Sequence, residues 1–230
     1  MANSLLLLLE LLLLGAAFVC GIVTAALVTG TQGDFGGSCI LYGEARWNAD
    51  AQSLDVAAFG SSSHCAFVDI LSVLISIYCF CTTFYYIYTY FMDETTRNVQ
   101  CLTASLVVSG ANLILLLTCG CLIRVGFSTF CQSVIHETKI KSCSEAEKLN
   151  WTSPFDGSTF SRNFSSAETS TWVNFFLWAL VLPLLVIQRS RGARVRLFSA
   201  EDPEWSTAVS GGAGRVSETD HLIPSGPNSR

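Results

Sequence analysis

The sequence has little charge and few histidines, and this scarcity limits the kinds of protein it can be. Only 13% of its 230 residues are Asp, Glu, Lys or Arg, and three are histidines. Because soluble domains carry about a quarter of their residues as charged side chains, a water-soluble globular domain is excluded. The net charge is −5 and no segment is strongly basic, which excludes a nucleic-acid-binding protein.

The chain also lacks the short motifs that catalysis and cofactor binding require. It has no metalloprotease His-Glu-x-x-His, no Gly-x-Ser-x-Gly nucleophile elbow, no phosphate-binding Walker A loop and no dinucleotide-binding glycine motif. We therefore expect no enzymatic activity and no cofactor.

What the chain does have is four long apolar runs, at residues 5–28, 66–91, 101–123 and 171–188. A helix of roughly 20 residues crosses the bilayer core, and each run is about that long or longer. The sequence therefore predicts an all-α membrane protein in which residues 1–197 form a four-transmembrane-helix bundle. Residues 29–65 and 124–170 are the two long loops of this bundle.

A cleaved signal peptide is the alternative for the first run, because the run is N-terminal and rich in leucine and has the small residues Ala25 and Ala26 near its end. However, no Lys or Arg precedes the run, Glu10 interrupts it, and it is far longer than the usual apolar region of about 7 to 15 residues. We therefore predict a retained helix. Cleavage would leave the orientation of the other helices unchanged.

Charge and glycosylation signals predict which way the helices point. Four arginines, at positions 189, 191, 194 and 196, follow the fourth run, and positive residues mark the cytoplasmic side. The second loop contains two N-glycosylation sequons, at Asn150 and Asn163, which are used only on the lumenal side. We expect lumenal or extracellular loops and two cytoplasmic termini, in the plasma membrane or an endosomal, lysosomal or secretory-granule membrane.

Four of the ten cysteines lie in the loops, at Cys39, Cys65, Cys131 and Cys143. An even set on an oxidising side predicts two disulfides, and three pairings are possible. Pairing within each loop is slightly favoured. A zinc site is the weaker alternative, because only His64 and His136 are available as additional ligands and no short Cys-x-x-Cys spacing occurs.

Small and polar residues predict how the helices pack. Ala17, Gly21 and Ala25, four residues apart, form a small-residue face on helix one that allows close approach of a second helix. Helices two and three each carry one polar stripe, and their short connector favours a shared seam. The stripe residues are Asp69, Ser72, Ser76, Cys79 and Thr83 on helix two, and Cys101, Ser105, Ser109, Asn112 and Cys119 on helix three.

Three charged residues lie at or within the predicted spans. Asp69 and Arg124 are at the loop ends of helices two and three, so they are candidates for an ion pair. Glu10 lies within helix one, about 8 Å from its cytoplasmic end. An intramembrane carboxylate indicates a functional role, here in transport, and Arg97 of the connector is the one other charge considered for a similar depth.

The tail, residues 198–230, is rich in Ser, Gly, Pro and charged residues, so we predict that it is a disordered cytoplasmic segment. Glu218, Leu222 and Ile223 match an acidic dileucine signal of the kind that clathrin adaptors bind for endosomal sorting. Cys101 is at the cytoplasmic end of helix three and is a candidate for palmitoylation.

Several segments resemble one known family. They are Thr31–Gly43, Ile123–Cys131, Ser142–Ala146, Glu168–Asn174 and, in the tail, Asp202–Ser206 and Ser217–Asp220. They resemble the transmembrane protein 179 family, and its B-type branch most closely, over nearly the whole chain. The resemblance implies a four-pass integral membrane protein and implies no reaction.

Two better-known tetraspan classes differ in their motifs. Claudin-like proteins carry a Gly-Leu-Trp motif with two close cysteines, and tetraspanins carry a Cys-Cys-Gly; neither is present, so the similarity is architectural. We expect a non-catalytic tetraspan organiser or accessory of other membrane proteins. The alternative is a transporter or channel-accessory subunit that uses the seam between helices two and three.

Overall fold

A computed structural model describes residues 2–91 and 99–200, with side chains described for 5–89 and 101–190. The described chain is mostly helical, and four of its helices are long and apolar enough to cross a membrane, which confirms the predicted class of fold. They are α1 (Ala2–Asp34), α2 (Ser62–Phe91), α3 (Val99–Thr138) and α4 (Phe160–Ala200). Residues 1–189 form one compact unit, to which the following description refers.

The first loop contains two strands that the all-α prediction did not include. β1 (Glu44–Asn48) and β2 (Ser53–Ala58) form an antiparallel hairpin in which Arg46 is opposite Asp55. Ala45, Leu54 and Val56 are buried, whereas most of the other side chains are partly or fully exposed. The alternation is that of a half-buried sheet.

The second loop is much shorter than predicted, because α3 continues to Thr138 and α4 already begins at Phe160. Phe130 and Val134 are fully buried on the extension of α3. These residues keep an apolar face at helical spacing beyond the membrane-spanning run, and the hairpin packs against the extension. Because the other faces of this part of α3 carry polar residues, the predicted run ended too early.

The polar stripe of α2 packs mainly against α1. A Cβ atom at Gly21 would be only 2.9 Å from the carbonyl oxygen of Ser72, so glycine is required for this close approach. Ser76 donates hydrogen bonds to the carbonyl oxygens of Ser72, at 2.8 Å, and Phe18, at 3.4 Å. The stripe does face protein, but for these two serines the predicted partner, α3, is wrong. The small-residue face of α1 allows its backbone to come close enough to α2 for these contacts.

α3 and α4 also approach each other at a glycine. A Cβ atom at Gly120 would lie 3.2 Å from the indole of Trp172. Earlier in α3, Ser109 donates to the carbonyl oxygen of Ser105 in its own helix. The buried hydroxyl therefore needs no acceptor on α2, which is a second reason why the predicted seam between α2 and α3 is not the main polar contact.

Candidate functional site

The candidate site is the module formed by the two loops at one end of the bundle, which we call the head module: residues 35–61 and 125–159. One edge of its hairpin is covered by α3. Ser133 accepts a hydrogen bond from the backbone N–H of Ala45 at 2.9 Å and donates to the Ala45 carbonyl oxygen at 3.4 Å. One turn later, Glu137 accepts from the backbone N–H of Trp47 at 3.5 Å. These side chains take the place of a neighbouring strand.

The opposite edge of the hairpin is covered by the second loop. The N–H of Leu54 donates to the Asn150 carbonyl oxygen at 2.8 Å, and the N–H of Thr152 donates to the Leu54 carbonyl oxygen at 3.0 Å. The two segments run parallel, and the hydroxyls of Ser53 and Thr152 are 2.9 Å apart. Both edges of this small sheet are therefore hydrogen-bonded within the same chain.

An aromatic cluster joins the two loops of the head module to α3 and α4. Phe35 and Phe160 are fully buried, and each makes an edge-to-face contact with Trp151, at centroid distances of 5.3 and 5.4 Å. Trp151 also donates from its indole nitrogen to the Ala146 carbonyl oxygen at 3.1 Å. Burial and edge contacts of such rings make a strong, well-defined core. Further members are Phe127, Phe130, Phe155 and Phe164.

Two disulfides close the head module, and both join cysteines of the same loop. Cys39 is bonded to Cys65 at the start of α2, and Cys131 of α3 is bonded to Cys143 at the start of a short 3₁₀ helix, Cys143–Lys148. This is the pairing that the sequence slightly favoured. Since all four thiols are used, they are not available to a metal ion, and among the described residues no cluster of three potential ligands occurs.

The two histidines considered as zinc ligands have other neighbours. The ring of His64 is 4.9 Å from the ring of Tyr42, measured between centroids. The exposed His136 has its Nδ1 atom 3.7 Å from a carboxylate oxygen of Glu137, its neighbour in the chain. Neither contact resembles metal ligation, so the structure does not bring these residues together as the zinc alternative requires.

The predicted ion pair between Asp69 and Arg124 is wrong, because each residue has a different partner. Gln32 of α1 donates to the carboxylate of Asp69 at 2.8 Å. Arg124 is 3.4 Å from the carboxylate of Glu168 on α4. The sequence places Asp69 and Arg124 at the same end of their helices. The nearer partners, Gln32 on α1 and Glu168 on α4, depend on how the four helices pack, which the sequence of each helix alone does not show.

Glu10 is almost fully buried within the bundle, with 1% of its surface exposed. Gln188 of α4 donates to its carboxylate at 2.9 Å. Asn112 of α3 and Asn174 and Trp178 of α4 are also buried, and their Nδ2, Oδ1 and Nε1 atoms, respectively, have no hydrogen-bond partner in the described part of the chain. The bundle interior therefore contains polar groups at more than one position.

The two sequons are in different surroundings. Asn150 is exposed and lies in the extended segment beside β2, whereas Asn163 is partly buried near the start of α4. Asn163 donates from Nδ2 to the hydroxyls of Thr31, at 3.3 Å, and Thr159, at 3.1 Å.

Asp156 lies between the two sequons in the chain. It accepts hydrogen bonds from the backbone and side chain of Ser158, which lower the pKa of its carboxyl group below the ordinary value.

The remaining candidate residues are Cys101 and the three residues of the sorting motif. Cys101 has a free, partly buried thiol near the start of α3. Glu218, Leu222 and Ile223 of the sorting motif lie outside the described residues, as does most of the tail.

Sequence reasoning missed the hairpin and the two side chains that cover its edge. The alternation of Ala45 with exposed neighbours in β1 and the turn-forming Asn48 were available signals. Asn48 accepts from the backbone N–H groups of Asp50 and Ala51 at 3.1 and 3.2 Å. No comparable signal identifies Ser133 as the residue that covers the strand, because its role depends on α3 continuing past the predicted run 101–123.

A family model described as the transmembrane protein 179/179B claudin domain matches residues 6–209. Transmembrane protein 179B of Danio rerio is 44% identical over 199 residues, which cover 86% of this chain and 90% of that protein. The Homo sapiens protein of the same name is 39% identical over 217 residues, or 94% of each chain, and the Mus musculus protein is 37% identical over 215 residues, or 93% of each. No solved structure matches significantly. The sequence argument from missing claudin motifs was too strict, since the matching model is itself described as a claudin domain.

Proposed function

The chain belongs to the transmembrane protein 179/179B family, and we propose that it is a non-catalytic tetraspan protein that organises or accompanies other membrane proteins. The family model and the four candidate spans make it a membrane protein with a claudin-like domain. The proposal adds a role for the head module, which presents a fixed surface to partners at one side of the membrane.

The observation that carries this proposal is the way the hairpin is held. Both edges of the sheet are hydrogen-bonded within the chain, the aromatic cluster joins the head module to α3 and α4, and two disulfides close the module. The outward side chains of β1, Glu44, Arg46 and Asn48, remain exposed. A surface that is ordered before binding loses little conformational entropy on association, which suits recognition of another protein.

We further propose that the head module is lumenal or extracellular and that both termini are cytoplasmic. The arginines that follow the fourth span and the disulfides of the head module support this orientation. Protease protection of tags at either terminus in sealed vesicles tests it.

Proximity labelling in cells tests the role of the head module. The variant Glu44→Lys/Arg46→Glu reverses two exposed charges on β1, and a matched variant, Glu145→Lys/Lys148→Glu, reverses two charges on the 3₁₀ helix. We expect the β1 variant to lose a defined subset of labelled neighbours at unchanged abundance, while the control retains them. An identical set of neighbours for wild type and both variants would contradict the proposal.

The tail adds a proposed contact with clathrin adaptors through the motif Glu218, Leu222 and Ile223. Replacing Leu222 and Ile223 by alanine should move the protein from endosomal membranes toward the cell surface. Imaging of the tagged full-length protein measures this, with Pro224→Ala as the control. An unchanged distribution would argue against adaptor binding.

A transport or channel-accessory role is the second candidate, and the buried carboxylate of Glu10 is the observation that favours it. Glu10 and the unpartnered polar atoms of Asn112, Asn174 and Trp178 are all inside the bundle. Purified protein in liposomes should then pass protons or a small polar solute, and Glu10→Gln should abolish this flux without loss of folded protein. Absence of flux with the wild-type protein would reject the second candidate.

A further inference from the structure

The two sequons differ at the atom that would carry a glycan. N-linked glycans are attached through the Nδ2 atom of asparagine. At Asn163, Nδ2 donates to the hydroxyls of Thr31, on α1, and Thr159, just before α4. Asn150 is exposed, and the hydrogen bond from Leu54 that holds its segment is accepted by its backbone carbonyl oxygen. Modification at Asn150 therefore leaves the edge contact with β2 intact.

The chemistry of the transfer increases this difference. The donor is a lipid-linked oligosaccharide in which C1 of the first sugar is esterified to a diphosphate. Nδ2 forms a bond to C1, the C1–O bond to the diphosphate breaks, the lipid diphosphate leaves with the electron pair, and the amide loses one proton. The modified Nδ2 keeps one hydrogen atom, so Asn163 could keep at most one of its two hydrogen bonds.

Backbone conformation also separates the sequons. Residues 150–152 are extended beside β2, which exposes the asparagine and turns the Thr152 hydroxyl toward Ser53. Residues 163–165 are helical, within the first two turns of α4. Asn163 is five residues before Glu168, so it is about 7.5 Å from Glu168 along the helix axis, toward the start of α4. A sugar at Asn163 would have to separate α1 from α4 at the loop end of these helices.

From these contacts we propose that Asn150 carries an N-linked oligosaccharide and that Asn163 remains unmodified. Asn163 instead acts as an amide that joins α1 to α4 through Thr31. The inference uses the lumenal orientation proposed above. It also gives the head module a glycan on the segment that covers one edge of its sheet, at the exposed side chain of Asn150.

Expression of the full-length chain in glycosylating cells tests this assignment. Electrophoretic mobility before and after treatment with an N-glycosidase counts the glycans. We expect one glycan on the wild-type chain and none on Asn150→Gln. Ser165→Ala removes the second sequon by changing an exposed side chain and leaves Asn163 in place, so its mobility should equal that of wild type. Two glycans on the wild type, or one that Ser165→Ala removes, would overturn the proposal.

A reporter variant separates failure of this inference from failure of the orientation. Asp50→Ser creates a third sequon at the exposed Asn48 in the hairpin turn, where Asn48 uses its Oδ1 atom and not Nδ2 for the two turn hydrogen bonds. We expect this variant to carry one glycan more than wild type. If the reporter is glycosylated and Asn150→Gln changes nothing, only the assignment of Asn150 is rejected. If neither the reporter nor the wild type is glycosylated, both the lumenal orientation and the assignment of Asn150 are rejected.

Discussion

Gln188 of α4 donates a hydrogen bond of 2.9 Å to the carboxylate of Glu10, which lies on α1 and is 1% exposed. This pair joins the first and last spans near the end opposite the head module. Burying a polar group is costly unless the group is hydrogen-bonded. The hydrogen bond from the Gln188 amide lowers this cost for the Glu10 carboxylate. Glu10 is therefore part of an interhelical contact, whichever of the two proposed functions applies.

Replacing the amide of this pair should destabilise the bundle. Gln188→Leu leaves the Glu10 carboxylate buried without one of its donors, and we expect a loss of about 1 to 3 kcal/mol in the free energy of unfolding. Val186→Leu changes a nearby exposed side chain and should have almost no effect. Thermal unfolding in detergent measures both. Equal midpoints for the two variants would show that the contact contributes little.

The contact between α1 and α2 depends on a glycine, and a second glycine in the same helix provides the control. A Cβ atom at Gly21 would meet Ser76 and the Ser72 carbonyl oxygen, whereas one at Gly15 would meet nothing within 4 Å. We expect Gly21→Ala to lower stability by about 1 to 3 kcal/mol, because the helices must move apart. Gly15→Ala should be neutral or stabilising by up to about 1 kcal/mol, since alanine favours the helix.

The same thermal unfolding measurement compares the two alanine variants. Both substitutions add one methyl group to α1, so opposite signs of the two changes in stability would show that the position of the methyl group matters. A stabilising Gly21→Ala would mean that α1 and α2 are farther apart than the structure shows.

The corrected ion pairing predicts that Arg124 contributes little to stability. Arg124 has 69% of its side chain exposed, and exposed ion pairs contribute about 0.2 to 1 kcal/mol. A double-mutant cycle of Arg124→Ala with Glu168→Gln should show a coupling energy in that range. The cycle of Arg124→Ala with Asp69→Asn should show none. A larger coupling to Asp69 would restore the pairing that the sequence suggested.

The membrane-spanning part was predictable because length and hydropathy are properties of each run alone. The head module was less predictable because it depends on contacts between distant segments. Phe130 continues the apolar face of α3 beyond the predicted run 101–123, and Ser133 then covers the edge of β1. Likewise, the exposure of Arg124 and its distance to Glu168 follow from how four helices pack, which no single polar stripe determines.

The two disulfides should differ in their resistance to reduction. Cys39 and Cys65 are almost completely buried, whereas Cys131 is 8% exposed and Cys143 is only partly buried. Because thiol–disulfide exchange requires access to a sulfur atom, a mild reductant under native conditions should open the Cys131–Cys143 bond first. Alkylation followed by peptide mapping identifies the opened pair at each time point.

The two disulfides should also differ in how much each contributes to the free energy of unfolding. The chain-entropy relation gives about 3.5 kcal/mol for the loop closed by Cys39–Cys65 and about 3 kcal/mol for the shorter loop closed by Cys131–Cys143. The variant Cys131→Ala/Cys143→Ala should therefore retain the Cys39–Cys65 bond and unfold at a higher temperature than Cys39→Ala/Cys65→Ala. Simultaneous reduction of both bonds would contradict the predicted order, whereas a peptide that links Cys39 to Cys131 would contradict the pairing itself. With a bond between Cys39 and Cys131, the two loops would be linked to each other, and the hairpin would depend on the second loop for its covalent closure.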